Sequence, residues 1–122
     1  MVVQSLFPIL LTRDLPQLAD FYQRALGGTI AYRFDDDSGE AAYISLALGA
    51  ASLGIGRAVE VPGAGDRAAL WFYVEDVDEA FRSFVAAGGS EVQPPRDMLW
   101  GERVAQVRDL DGNLVNLGAA SG

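Results

Sequence analysis

The chain contains no histidine, no cysteine and no lysine, and each absence removes a kind of chemistry. Without imidazole or thiolate, neither a structural zinc site nor a two-histidine-one-carboxylate iron site can be assembled from these side chains. Thiolate nucleophiles, Schiff bases and the imidazole base of a serine hydrolase go with them. Carboxylates, tyrosine, serine, threonine and arginine remain. Disulfides are excluded, which agrees with a reducing compartment. The sequence has no apolar run near the ~18 residues of a membrane span and no basic segment leading into a signal-peptide-length apolar stretch. The expectation is a soluble, cytoplasmic protein with no membrane partner. Positive charge is also scarce, with nine basic residues against seventeen acidic and a net charge of -8. That balance repels a phosphate backbone, so no nucleic-acid partner is expected, and an acidic field favours cationic small molecules.

What is present suffices for a real core: 122 residues, half of them apolar. That length predicts one domain, 1–122, able to bury roughly two thirds of its extended surface. Two segments share one design. DLPQLADFYQRAL, from Asp14 to Leu26, places Asp at the N-cap, Gln17 three residues on, and an apolar stripe of Leu15, Leu18, Phe21, Tyr22, Ala25 and Leu26 ahead of Gly27-Gly28. DVDEAFRSFVAA, from Asp76 to Ala87, repeats the cap, with Glu79 three residues on and Gly88-Gly89 at its end. Both predict amphipathic helices opened by a capping box and closed by glycine. The two caps stand 62 positions apart, about half the chain.

Apolar strands precede the helices (FPILLT and ALWFYV), and three β-like runs follow each: 29–34, 41–48 and 51–56, then 91–93, 102–108 and 113–118. Asp-Gly-Asn at 111–113 predicts a hairpin whose central positions tolerate positive φ, and Gly49 marks the matching turn in the first half. QPPRDML, from Gln93 to Leu99, reads as a loop carrying Trp100 beyond it. The expected fold is α+β, two tandem βαβββ modules (about 1–58 and 67–122, linker 59–66) whose curved sheets enclose a cleft.

This order, with FY and LGG in the first helix region and WGERVAQVRDLDGNLVNL near the end, resembles the vicinal oxygen chelate superfamily of glyoxalases, bleomycin resistance proteins and extradiol dioxygenases. The resemblance spans nearly the whole chain. Enzymes of that superfamily hold a divalent metal on the first and last strands of each module. Carried over by register, those positions are Phe7, Gly54, Ala69 and Asn116, each pair again 62 apart. None is ionisable, whereas a hard cation needs several oxygens at ~2.0–2.6 Å. No metal or other cofactor is expected. The Trp-Gly step and the acid-turn-Gly-Asn hairpin are similar to the metal-free antibiotic-binding branch, the bleomycin and mitomycin resistance proteins. Those are acidic homodimers that sequester a drug between aromatic rings. The proline usual between the two turn aspartates is Leu110 here.

Strand alternation then names the lining of a small-molecule site. Phe7, Ile9 and Leu11, Ser52 and Gly54, Ala69, Trp71 and Tyr73, and Leu114 and Asn116 share the parity of the carried-over positions. Tyr32 and Tyr43 join them, Trp100 offers a stacking wall or dimer contact, and Glu102 and Arg103 flank the Trp-Gly step as a charged rim. Asp35-Asp36-Asp37 reads as a solvated loop. The reading is a metal-independent homodimer holding an aromatic or cationic natural product or antibiotic. The alternative is a metal-free isomerase, cyclase or lyase using Glu102, Tyr43 or Tyr73. A third is a pocket plugged by its own side chains, such as Phe7, and acting through protein contacts.

Overall fold

The computed structural model describes residues 2, 4–59 and 68–121, so the expected linker 59–66 lies outside it apart from Val59. The element order is β1 (Ile9–Thr12), α1 (Leu15–Leu26), β2 (Thr29–Asp35), β3 (Ala41–Leu48), β4 (Ala51–Arg57), β5 (Leu70–Tyr73), α2 (Val77–Ala86), β6 (Ser90–Asp97), β7 (Glu102–Arg108) and β8 (Leu114–Ala120). The described strands form two four-stranded sheets, β1-β4-β3-β2 and β5-β8-β7-β6, in separate compact units. In each, the strand before the helix pairs parallel to the last strand and the other pairings are antiparallel. Ile9 pairs with Gly54 and Trp71 with Asn116, so the 62-residue repeat holds at the level of individual pairs.

Both helices begin where an aspartate side chain takes over an orphan backbone donor. Asp14 Oδ1 accepts from the Gln17 amide and Asp76 Oδ1 from the Glu79 amide, each at 3.1 Å. For α1 the return arm of a capping box is replaced: the Asp14 amide donates to the hydroxyl of buried Thr12 at 3.2 Å, which ties the cap to the end of β1. α1 stops at Gly27, whose φ of 74° an L side chain rarely adopts.

Each sheet is apolar on one face through strand alternation. In the first unit Ile44 pairs with Ile55 and Leu46 with Leu53, and all four are buried. In the second, α2 packs on β6, β7 and β8, burying Val77 and Phe84 together with Ala105, Val107, Val115 and Leu117. Gly89 permits that approach, since a Cβ there would lie 2.6 Å from the Phe84 ring and 2.9 Å from the Arg108 carbonyl oxygen.

Two local expectations are corrected. The β7–β8 hairpin does not use two left-handed central residues, because only Gly112 has positive φ. It is a five-residue loop, 109–113, organised by buried Asp109, whose carboxylate accepts from the amides of Asp111 and Asn113 and from the Asn113 side chain at 2.8–2.9 Å. The strand expected at 91–93 spans Ser90–Asp97, so Pro94 to Asp97 are strand rather than loop. β6 is an edge strand, and its register against β7 slips between Gln93 and Arg96, where Pro94 and Pro95 offer no amide.

Candidate functional site

The face of the second sheet away from α2 carries two rows of side chains, each crossing all four strands. One row runs Trp71, Asn116, Gln106, Gln93 and the next runs Tyr73, Gly118, Val104, Arg96. Trp71 can lie flat across its neighbours because Gly118 has no side chain; a Cβ there would sit 3.0 Å from the indole. Beside it, Gln106 Nε2 donates to Asn116 Oδ1 at 2.9 Å, so the two amides form a polar floor. Past the end of β6 the chain turns through Gly101, φ 96°, and brings Met98 and Trp100 over the same rows. The result is a pocket of about 200 Å³ with Trp71 and Trp100 among its walls, the Gln106–Asn116 pair at its base, and Gln93 and Arg96 at its side.

Trp100 is held by charge. Its Nε1 donates to Glu102 Oε1 at 2.7 Å. The Tyr73 hydroxyl also hydrogen-bonds the Glu102 carboxylate, which raises the tyrosine above its ordinary value because ionisation would break that bond and place two negative charges together. Arg103 leaves the site. It alternates with Glu102 along β7 and points to the helix side, where its guanidinium forks onto both Asp78 oxygens of α2 at 2.9 Å and reaches Asp97 at 3.3 Å. The fork raises Arg103 and lowers Asp78 from their ordinary values.

In the first unit the equivalent rows are Ile9, Gly54, Ser45, Tyr32 and Leu11, Gly56, Tyr43, Phe34. They carry no amide pair. The Tyr43 ring fills the volume above Gly54, where a Cβ would meet its hydroxyl at 2.5 Å. Tyr32 lies 6.2 Å from Tyr43 between ring centres, Ser52 sits farther along the same face opposite Ala47, and Phe7 precedes β1 with half its surface exposed. Ala69 precedes β5 and is exposed. Asp36 is no free cation ligand: it accepts from the Ser38 hydroxyl at 2.6 Å and from Arg57 at 2.7 Å, which hold it well below the usual carboxylate range.

Of the residues read from the sequence, Trp71, Trp100 and Asn116 line the pocket, with Tyr73 and Glu102 bracing Trp100 from outside it. Arg96, Gln93, Met98, Val104 and Gln106 were not anticipated. Alternation along β7 from Glu102 puts Val104 and Gln106 on the site face, a signal present in the sequence, whereas Arg96 lies in the stretch read as loop.

The carried-over metal positions do not suit a metal. Phe7, Gly54 and Ala69 bring no donor, and the Asn116 oxygen already accepts from Gln106. Among the described residues no three His, Cys, Asp or Glu side chains converge. No helix among them is long and apolar enough to cross a membrane.

Residues 4–117 match the family model described as Glyoxalase/Bleomycin resistance protein/Dioxygenase superfamily. The chain belongs to that superfamily. No curated protein matches it. Among solved structures of the superfamily's fold, TioX from Micromonospora sp. ML1 is 29% identical with a TM-score of 0.76, over 97% of this chain and 99% of that one. A glyoxalase/bleomycin resistance protein/dioxygenase family enzyme from Burkholderia phytofirmans PsJN is 19% identical with a TM-score of 0.76, over 93% and 96%. FosX of Listeria monocytogenes, a fosfomycin resistance protein solved as its E126Q mutant with Mn(II) and 1S,2S-dihydroxypropylphosphonic acid, is 20% identical with a TM-score of 0.77, over 98% and 93%.

Proposed function

We propose that this superfamily member is a metal-independent binding protein that holds an aromatic small molecule against Trp71 and Trp100. The observation that carries this reading is the pocket in the second unit, where two indoles stand over an amide floor at the strand position a metal ligand would take. Aromatic walls give affinity through stacking and burial, and a few fixed polar groups orient the ligand. At about 200 Å³ the pocket is smaller than the ~300–1,000 Å³ typical of drug-sized ligands, so it suits one or two fused rings of a larger compound. The reading extends to sequestration of an aromatic natural product or antibiotic, supported by the bleomycin resistance proteins in the description of the matched family, and to a cytoplasmic homodimer as part of the same proposal.

A second reading has one observation of its own. The Tyr73 hydroxyl and Glu102 carboxylate form a hydrogen-bonded pair beside Trp100, a proton donor and acceptor able to serve a metal-free isomerase, cyclase or lyase. Titrating tryptophan fluorescence with aromatic antibiotics in the presence of a chelator, then weighing the recovered compound by mass spectrometry, separates the two. Saturable quenching with unchanged mass supports a binding protein, and an altered mass supports the enzyme. Absence of saturation across the panel refutes the binding site. Light scattering of the free protein tests the homodimer.

A further inference from the structure

The polar lining of this pocket carries a single formal charge, and it is positive. Arg96 faces the pocket from β6, in the row of Tyr73, Gly118 and Val104. Among the described residues its guanidinium has no carboxylate partner, unlike Arg33, which pairs with Asp35, Arg57, which pairs with Asp36 and Glu40, and Arg103, which pairs with Asp78 and Asp97. The carboxylates nearest in sequence are spoken for: Asp97 points to the opposite face and contacts Arg103, and Glu102 accepts from Trp100 and Tyr73. The other polar groups, Gln93, Gln106 and Asn116, are neutral amides. In a chain of net charge -8, an unpaired guanidinium beside two indoles is the feature that discriminates between ligand charges.

We propose that the pocket selects aromatic carboxylates, with the ring against Trp71 and Trp100 and the carboxylate bound by the Arg96 guanidinium. The planar fork of arginine presents two parallel N–H donors to two carboxylate oxygens, and the charge-assisted pair is about twice as strong as a neutral hydrogen bond. This deepens the binding reading and rests on it. It also reverses the expectation of a cationic ligand, because the acidic surplus of the chain is not found in the pocket lining.

Isothermal titration with 2-naphthoate, 2-naphthamide and 2-naphthylmethylammonium tests the inference with one ring system and three charges. The wild-type protein binds the carboxylate about tenfold more tightly than the amide, and the cation most weakly. Arg96→Gln abolishes the preference for carboxylate over amide. Arg13→Gln, the same loss of charge outside the pocket, preserves the preference. Equal binding of carboxylate and amide, tighter binding of the cation, or a preference that survives Arg96→Gln overturns the inference and leaves the aromatic reading standing. Failure of all three probes to bind removes the aromatic reading itself, and the inference with it.

Discussion

Gly56 and Gly118 occupy the same place in the two repeats, yet alanine at the two should act in opposite directions. Neither has a left-handed backbone, so the comparison isolates packing. In a strand interior, alanine gains roughly 0.5–1 kcal/mol over glycine by restricting the unfolded chain. At Gly56 the new methyl would meet Leu11 Cδ2 at 3.5 Å and Ile9 Cγ2 at 3.8 Å, ordinary contact distances, so that gain is kept. At Gly118 it would meet three indole atoms of Trp71 at 3.0–3.2 Å, and the ring must move by a few tenths of an ångström. Overpacking costs about 1–3 kcal/mol, and because Trp71 is 42% exposed it can yield outward, which places the cost at the lower end. The two variants therefore differ by about 1–2 kcal/mol, or about 4–8 °C in melting midpoint for a chain of this size. Urea and thermal unfolding in a Trp100→Phe background, where Trp71 is the remaining indole, read both stability and the emission maximum. Gly118→Ala shifts the emission and lowers the midpoint; Gly56→Ala raises it. Equal midpoints with unchanged Trp71 emission would refute the packing of the indole on Gly118.

Three further outcomes are expected. Asp109→Ala leaves three donors of the 109–113 loop without their acceptor and destabilises the second unit by about 2–4 kcal/mol, read by denaturant unfolding and by faster amide exchange at the β7–β8 turn. In absorbance titration Tyr73 ionises at higher pH than a free tyrosine, and Glu102→Gln brings it down; a Tyr73 curve unmoved by that change would dissolve the pair. The sign follows from the raised tyrosine: its favourable contact is present below the ordinary tyrosine value and is lost as pH rises through the folded one. Arg103→Met leaves affinity for aromatic ligands unchanged while lowering the melting midpoint, because its partners Asp78 and Asp97 lie on the helix side; a loss of affinity would return Arg103 to the site.

The parts of the fold legible in the sequence were those governed by local physics. Aspartate caps and apolar stripes marked both helices, and the 62-residue offset marked the duplication down to single strand pairs. What escaped was governed by tertiary context. Two consecutive prolines argue for a loop, and only the edge position of β6 and its slipped register make room for them in a strand. Because the strand expected at 91–93 runs on to Asp97, Arg96 fell in the stretch read as loop, whereas Trp71, Trp100 and Asn116 followed from parity and composition. Adjacent Glu102 and Arg103 cannot both face one side of a strand, and the fork onto Asp78 shows which one leaves.

The prolines of β6 bear on aggregation as well. A sheet edge with free amides is a template on which another chain can add a strand, and proteins blunt it with proline and bulges. Successive amides of a strand point to opposite sides, so two prolines in a row delete one donor toward β7 and one toward the open edge. That edge of the second sheet is therefore interrupted in its middle, and continuous strand addition is left to the opposite edge, at β5, which is only four residues long.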